Sequence, residues 1–356
     1  MSLSFTQTKN LGQNDRIEDT NQGIVFKKTI GNYIVHAGGG RIISCTLSSR
    51  LRKEFDYPTA GANSLRRAVK NVREIEHVDP IAIGDRVAFV EAPGNSGMIV
   101  EIQPRENRLS RKTAVPMPGA HAFEQVIVAN IDQVVPVFAA ANPTPKWNML
   151  DRYLVAAESF DLSTLICITK LDLVQTGDGA LDTELLAEVE EYRRIGYPVV
   201  LVSAHTGQGL DELKQKLHGR ISVFVGKSGV GKSSLLNTLQ PGLGLKVKEV
   251  SQATGKGKHT TSHLEMFPLE FGINGDTHSN GAIVDTPGTR EFGLWDVADD
   301  DLALFFPEMR PFIGLCRFGL NCQHNEEPGC AVRKAVTSGK ISPRRYQSYM
   351  RLKEDD

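Results

Sequence analysis

The chain contains 356 residues, of which 40% are hydrophobic and 23% are charged, and its formal net charge is -1. This length exceeds one typical domain and predicts two or three. No apolar run reaches the roughly 18 residues that cross a bilayer, and the N-terminus lacks the basic and then apolar pattern of a signal peptide. We therefore expect a cytoplasmic protein with no membrane segment, whose affinity for any nucleic acid comes from local basic patches.

The N-terminal part of the chain divides into a tail and a small β domain. Residues 1–25 are polar, and we expect them to form a mobile tail. Residues 26–118 contain short alternating strands separated by Gly, Pro and Asn, which is typical of a small closed or partly open barrel. Basic residues recur along this segment and predict an oligonucleotide-binding (OB) fold that binds RNA. They are Arg50, Arg52, Lys53, Arg66, Arg67, Arg105, Arg108, Arg111 and Lys112.

In residues 119–298 the pattern changes to strands that alternate with helices. This alternation predicts a parallel sheet covered by helices on both faces, with ligands at the carboxyl ends of the strands. The predicted strands are QVIVANI, QVVPVFAA, STLICIT, PVVLVSA, ISVFVG and GAIVD.

The segment GKSGVGKSS matches the phosphate-loop pattern G-x-x-x-x-G-K-S between a predicted strand and a predicted helix. Its backbone N–H groups and the helix N-terminus would bind phosphate oxygens, Lys232 would neutralise the β- and γ-phosphates, and Ser233 would bind Mg²⁺. The predicted nucleotide-binding residues here are Gly226, Lys227, Ser228, Gly229, Val230, Gly231, Lys232, Ser233 and Ser234.

The motif DTPG follows a predicted strand. The carboxylate of Asp285 would reach Mg²⁺ through water, and the N–H of Gly288 would meet the γ-phosphate. The basic, glycine-rich segment before this strand should contain a switch in which Thr260 or Thr261 closes on Mg²⁺. The alternative for this segment is a solvated surface loop.

The residue after DTPG is Thr289, where many GTPases carry a glutamine that orients the attacking water. We therefore expect the protein alone to hydrolyse its bound nucleotide slowly. His259 or a partner group would supply the positioning, although an isolated histidine in a loop is often only exposed.

Residues at two further predicted strand ends indicate which nucleotide base is bound. Asp172 would accept hydrogen bonds from N1–H and the amino group of guanine, a pairing that adenine cannot offer, while the stem of Lys170 would lie along the base. Backbone N–H groups at Ser203 and Ala204 would meet the guanine oxygen. The first of these segments, TKLD, consists of Thr169, Lys170, Leu171 and Asp172. Both segments precede the phosphate loop, and this rotated motif order indicates a circular permutation, which a parallel sheet tolerates.

A cysteine cluster lies near the C-terminus, where Cys316, Cys322, His324 and Cys330 provide three thiolates and an imidazole. These groups are a complete tetrahedral set for one structural Zn²⁺. The alternative is reduced cysteines without metal.

Residues 299–356 should form a small zinc-binding helical domain that ends in basic helices. Between Ala331 and Lys353 there are seven Lys or Arg and no Asp or Glu, with Tyr346 and Tyr349 interleaved. A basic stretch with interleaved aromatics is typical of an RNA-binding surface.

From about residue 30 onward the chain resembles the circularly permuted bacterial GTPases of the RsgA or YjeQ family, which act on the small ribosomal subunit. The resemblance depends on the rotated motif order and on GKSGVGKSSLLN, TGKGKHTT, DTPGTREFGLW, EPGCAV and RYQSY. It implies an OB barrel, a central GTPase domain and a C-terminal zinc domain. It also implies Mg²⁺ with GTP or GDP, 16S rRNA and the 30S subunit as partners, and 30S-stimulated hydrolysis in late subunit maturation.

The sequence departs from the family pattern in places. Thr169 stands where the N-K-x-D motif has asparagine, a change that bears on the hydrogen bonding between this motif and the phosphate loop. One extra residue separates the first two cysteines, and the N-terminal tail is not notably basic.

Two other functions remain open at this point. One is a GTP-gated rRNA-binding module in which hydrolysis is incidental, and the other is an ATP-using enzyme, which Asp172 disfavours. We expect a monomer. Because DTPG lies shortly before the zinc domain, we also hypothesise that the γ-phosphate state is transmitted to the orientation of that domain.

Overall fold

A computed structural model of the protein describes residues 20–29, 31–54, 80–112, 124–175, 180–245, 264–271, 281–286 and 301–354. Among these residues no helix is long and apolar enough to span a bilayer.

The N-terminal strands form a closed barrel. Its strands are β1 (Asn21–Thr29), β2 (Asn32–Ala37), β3 (Arg41–Leu47), β4 (Arg86–Ala92) and β5 (Ser96–Ile102), and helix α1 (Ser49–Glu54) follows β3. β1 pairs with β2, β2 with β3, β3 with β5, β5 with β4, and β4 with β1, so the ring of pairings closes. The predicted OB-like barrel is confirmed, although β1 begins at Asn21, before the expected start at residue 26.

Alternating apolar side chains fill the interior of the barrel, among them the fully buried Val35, Phe89 and Ile99. Arg105, which follows β5, is largely buried by an ion pair, with 17% of its side chain exposed. Its guanidinium lies 2.6 Å from Oδ1 and 2.8 Å from Oδ2 of the buried Asp85, and it donates to the Pro80 carbonyl. The prediction that Arg105 belongs to an exposed basic face is therefore wrong, because its guanidinium is paired with the buried Asp85 carboxylate.

A separate hairpin connects the barrel to the next domain. β6 (Arg108–Lys112) pairs antiparallel with β7 (Glu124–Ala129) in a two-stranded sheet. The segment QVIVANI, predicted as a strand of the large sheet, instead supplies β7 of this hairpin. The amide of Asn130 fastens the hairpin, since it donates to the Gly84 carbonyl and its oxygen accepts from the Glu106 N–H.

The central sheet is mainly parallel, as predicted. Neighbouring strands run in the order β11-β10-β8-β12-β14 and all four of these pairings are parallel. Their bounds, with those of the short β9 and the antiparallel β13, are β8 (Gln133–Ala139), β9 (Ser163–Thr164), β10 (Ile166–Thr169), β11 (Val199–Leu201), β12 (Ile221–Val225), β13 (Glu265–Pro268) and β14 (Ala282–Asp285).

β13 joins the central sheet to the barrel. It pairs with β14 on one side and with β1 on the other, where Lys27 lies opposite Glu265. The Lys27 ammonium lies 3.0 Å from the Glu265 carboxylate, and both side chains are partly exposed. Barrel and sheet are thereby one continuous hydrogen-bonded surface.

Helices cover both faces of the sheet. Side chains of α2 (Trp147–Ser159) and α3 (Thr183–Ile195) pack in one core cluster, and those of α4 (Leu210–Leu217) and α5 (Lys232–Leu239) pack in another. The ends of α3 show how the sequence defines a helix. The Asp182 carboxylate accepts from two N–H groups at its start, and Gly196 ends it with φ 112°.

The C-terminal domain contains short 3₁₀ turns and the helices α6 (Ala331–Thr337) and α7 (Pro343–Glu354). It docks on α2 through buried charges. Oδ1 of Asp151 accepts from Arg345 at 2.6 Å and from the Tyr192 hydroxyl at 2.6 Å, while Oδ2 accepts from Arg344 at 2.8 Å. Burial raises the pKa of Asp151, but the two guanidiniums outweigh burial and hold it below its usual value.

Arg345 is fully buried and also contacts Glu308 at 2.7 Å. Arg344 and Arg345 are therefore not part of an exposed basic surface. They bind the C-terminal domain to the central domain. Of the predicted basic stretch, the exposed residues are Arg333, Lys334, Lys340 and Arg351.

Candidate nucleotide site and metal centre

The predicted nucleotide motifs meet at one edge of the central sheet. Gly226 follows β12, Asp285 ends β14, Thr169 ends β10 and Ser203 follows β11. Because these strands are parallel, their carboxyl ends share this edge, where α/β sheets bind ligands. The fold thus brings together residues that are far apart in the sequence.

The phosphate loop depends on glycines at defined positions. Gly226, Gly229 and Gly231 have φ of 152°, 87° and 97°, values that other residues rarely adopt. A Cβ on Gly226 would lie 2.4 Å from the Val137 carbonyl oxygen. Gly231 is the N-cap of α5, so the glycine-rich loop leads directly into a helix N-terminus, an arrangement that suits a phosphate.

Two buried charges lie next to this loop. The Lys232 ammonium donates to the Gly226 carbonyl at 2.6 Å and to the Lys227 carbonyl at 3.3 Å. Burial lowers the pKa of Lys232, and the charge of Asp285 opposes this shift. Ser233 and Ser234 occupy the first turn of α5 beside it.

Asp285 is 2% exposed, and its Oδ1 has no hydrogen-bond partner among the described residues. Burial raises its pKa to about 6, against the attraction of Lys232. A buried carboxylate without a partner is costly in a folded protein. A hydrated Mg²⁺ would supply the missing donors, so the residues fit the predicted magnesium site together with Ser233.

The predicted base-recognition residues also lie together. Oδ1 of Asp172 accepts from the Ser203 hydroxyl at 2.5 Å. The Ser203 oxygen in turn accepts from the N–H groups of His205 at 3.2 Å and Thr206 at 3.1 Å. Ala204 lies inside this turn, and Leu171 is buried. The turn orients the Asp172 carboxylate, which has acceptor capacity for a guanine edge.

The base segment binds the phosphate loop directly. Thr169, the replacement for the motif asparagine, donates from its hydroxyl to the Val230 carbonyl at 2.5 Å. The Lys170 ammonium donates to the Gly229 carbonyl at 2.7 Å and to the Asn142 carbonyl. Asn142 was not identified from the sequence, although the Asn-Pro pair after a buried strand is a recognisable turn signal.

Some predicted residues lie outside the described parts of the chain. These are the switch and water-positioning candidates and the glycine of DTPG, namely His259, Thr260, Thr261, Gly288 and Thr289. Their roles stay predictions.

The cysteine cluster is brought together as predicted. The ligand atoms of Cys316, Cys322, His324 and Cys330 all lie within 4.8 Å of one another, and all four residues are buried. Nδ1 of His324 is 3.5 Å from the sulfurs of Cys316 and Cys330, which are 3.9 Å apart. Zinc–sulfur bonds of about 2.3 Å in a tetrahedron place two sulfurs about 3.8 Å apart. The geometry therefore fits one tetrahedral metal ion such as Zn²⁺.

The backbone around the cluster is held by α6 and α7. The N–H of Ala331 donates to the Cys316 sulfur at 3.2 Å. The Tyr346 hydroxyl donates to the His324 carbonyl at 2.6 Å, and the Tyr349 hydroxyl to the Gln323 carbonyl at 3.2 Å. These tyrosines, interpreted from the sequence as part of an RNA-binding surface, instead position the metal-binding loop.

One sheet edge carries a phosphate loop, the buried carboxylate of Asp285 beside it and the carboxylate of Asp172 just after β10. This combination is typical of a phosphate-loop GTPase. The base motifs precede the phosphate loop along the chain, so the GTPase domain is circularly permuted.

Comparison with known proteins gives the family. The profile described as RsgA GTPase matches residues 102–295. A small ribosomal subunit biogenesis GTPase RsgA from Gemmatimonas aurantiaca is 41% identical over 94% of this chain and 96% of its own length. One from Bacteroides fragilis is 35% identical over 94% of this chain and 96% of its own length. The chain belongs to the RsgA GTPase family and is a GTP hydrolase.

Solved structures agree with this assignment. The crystal structure of YjeQ from Thermotoga maritima is 30% identical, with a TM-score of 0.66 over 94% of this chain and 98% of that one. The structure of YloQ, described as a circularly permuted GTPase, is 28% identical, with a TM-score of 0.65 over 97% of both chains.

Proposed function

We propose that this GTPase binds the small (30S) ribosomal subunit through 16S rRNA, acts in its late maturation, and hydrolyses GTP faster when bound to it. The observation that carries the proposal is the extent of the similarity. Relatives named for small ribosomal subunit biogenesis match 94% of the chain, so the likeness includes the barrel and the C-terminal domain as well as the GTPase domain. We also propose that the protein is a cytoplasmic monomer.

The proposed reaction is hydrolysis of GTP to GDP and phosphate. Loop N–H groups and Lys232 bind the β- and γ-phosphates, while Asp172 and the Ser203–Ala204 turn bind guanine. Ser233, Asp285 and either Thr260 or Thr261 hold Mg²⁺, which neutralises phosphate charge when bound. The N–H of Gly288 meets the γ-phosphate.

Water positioning is the incomplete part of this machinery. Unlike glutamine, Thr289 has no side-chain amide with which to orient a water, so intrinsic turnover is slow. His259 or a group of the 30S subunit supplies the missing contact. Stimulation by the subunit follows from this arrangement.

We propose that the cysteine cluster holds one structural Zn²⁺. Cys316, Cys322, His324 and Cys330 fill the four positions of a tetrahedron, so the ion has no open position for catalysis. Its role is to fold residues 316–330, the segment that precedes α6.

GTP hydrolysis with and without purified 30S subunits tests the main proposal, with 50S subunits as the control. We expect 30S to raise the hydrolysis rate at least tenfold and 50S to leave it unchanged, with binding that weakens steeply as salt rises. Binding to 30S without stimulation would favour the alternative, a GTP-gated rRNA-binding module. ATP bound as tightly as GTP would revive an ATP-using enzyme.

A further inference from the structure

The hydroxyl of Thr169 has no hydrogen left for the nucleotide. Its oxygen lies 2.5 Å from the Val230 carbonyl and 3.2 Å from the Phe138 carbonyl, and the residue is 2% exposed. A hydroxyl carries one hydrogen, and both neighbours are acceptors. Whichever carbonyl takes that hydrogen, none remains for a third acceptor.

The same strand end holds a second carbonyl of the phosphate loop. Lys170 donates to the Gly229 carbonyl at 2.7 Å. Gly231 packs against this pair of side chains, since a Cβ there would lie 3.5 Å from the Thr169 oxygen and 3.7 Å from Cε of Lys170. Two consecutive loop carbonyls, those of Gly229 and Val230, therefore face the base segment.

This arrangement has a consequence for phosphate binding. In a trans peptide the carbonyl and the following N–H point in opposite directions. Holding the carbonyls of Gly229 and Val230 toward Thr169 and Lys170 turns the N–H groups of Val230 and Gly231 away from them. Those N–H groups are then directed toward a phosphate at the start of α5.

We propose that Thr169 gives its single hydroxyl hydrogen to the phosphate loop, as part of the usual contact between this motif and that loop, and gives none to the base. Guanine presents N7 and O6 as acceptors and N1–H and its amino group as donors. The asparagine amide of the usual motif has two hydrogens, whereas Thr169 has one. The base is thus recognised by Asp172 at the N1 and amino edge, with N7 left without a donor from this strand end. The inference rests on the proposed contact between Asp172 and guanine.

Competition against a fluorescent GDP analogue tests this proposal with three ligands. GDP is the reference, 7-deaza-GDP replaces N7 with C–H, and IDP lacks the 2-amino group. We expect the natural protein to bind 7-deaza-GDP within about twofold of GDP, and to bind IDP about tenfold more weakly because Asp172 loses a partner. No ribosome is needed, so the result is independent of the 30S proposal.

Variants separate positioning from base contact. T169V leaves the Val230 carbonyl without its donor and should weaken GDP and 7-deaza-GDP by the same factor, about tenfold, while T169S restores binding. T169N adds a second hydrogen and should create a preference of about threefold or more for GDP over 7-deaza-GDP. The matched control is T164V, since the buried hydroxyl of Thr164 has no partner among the described residues and lies at the opposite edge of the sheet.

Three results would overturn the inference. Discrimination of fivefold or more against 7-deaza-GDP by the natural protein would show that N7 is read. Unchanged GDP binding in T169V would remove the positioning role. IDP bound as tightly as GDP would instead show that Asp172 does not contact the amino group. The comparison of GDP with 7-deaza-GDP does not depend on that contact, so the two failures are distinguishable.

Discussion

Asp285 shows how a residue proposed to bind Mg²⁺ can reduce stability. Its carboxyl is buried beside Lys232, and burial raises its pKa from 3.8 to about 6. Between these values the native state binds a proton that the unfolded chain has released. Stability contributed by the protonated form is therefore lost as the pH rises through this window.

We predict that Asp285→Asn stabilises the protein without nucleotide at pH 7.5 by up to about 3 kcal/mol, while lowering GTP hydrolysis. The amide removes a buried negative charge but cannot bind hydrated Mg²⁺ as a carboxylate does. Urea unfolding at pH 5 and pH 7.5 measures the effect, which should shrink at the lower pH. The exposed Asp211 on α4 provides the control, Asp211→Asn. A variant less stable than the natural protein at pH 7.5 would contradict this account.

At the scale of elements, the metal-binding loop lacks a core of its own. Between its ligands the loop exposes Leu320 and Phe318, and its buried contacts come from the cluster and from α6 and α7. A small loop of this kind depends on a metal for its fold.

We predict that Cys322→Ser releases the zinc and unfolds the C-terminal domain while GDP affinity stays within about twofold, since none of the described nucleotide-site residues contacts the cluster. Metal analysis, limited proteolysis and GDP titration measure the three effects. Asn321→Ser, in an exposed position of the same loop, should change none of them. A variant that keeps a protease-resistant domain without zinc would refute the structural role of the metal.

The contact between α7 and α2 is the second element-scale feature. Arg345 and Asp151 are both fully buried, and breaking such a pair leaves an uncompensated charge. We predict that Arg345→Met destabilises the protein by about 3 kcal/mol in urea unfolding. The double variant Arg345→Met with Asp151→Leu should lose less than the sum of its parts. The exposed Arg351→Met should lie within about 0.5 kcal/mol of the natural protein, and an equal loss there would show that charge on α7, not burial, matters.

At the scale of the molecule, two contacts connect the GTPase domain to its neighbouring domains. One is the pairing of β13 with β1, which places the barrel on the strand next to β14 and hence near Asp285. The other is the buried ion network between α2 and the C-terminal domain. Because the second contact consists of buried ion pairs, we infer that α2 and the zinc domain move as one body.

These two contacts provide reference points for measuring whether the γ-phosphate state changes the orientation of the zinc domain. We predict that the distance from Arg351 on α7 to Glu270 after β13 differs between the GDP and GTP-analogue states, while that from Arg351 to Asn148 on α2 does not. Unnatural amino acid labels at these exposed positions allow the measurement without modifying the cysteines. Identical distances from Arg351 to Glu270 in both states, alone and on 30S, would defeat the hypothesis.

Several features of this protein follow from contiguous sequence. The phosphate loop is a local backbone conformation that its own glycines permit, and the four metal ligands lie within fifteen residues, so any compact fold of that loop brings them near one another. Helix and strand alternation likewise predicts the parallel sheet, because each element shows its period in its own residues.

Other features were decided only by the tertiary structure. Thr169 binds Val230, 61 residues away, and Arg345 binds Asp151, 194 residues away. QVIVANI forms a hairpin strand because its partner is β6, which its own pattern does not show. Arg105, Arg344 and Arg345 read as surface charges until the carboxylates opposite them are known. A residue pattern reports which face of an element is apolar, but the packing of distant elements determines which polar groups meet.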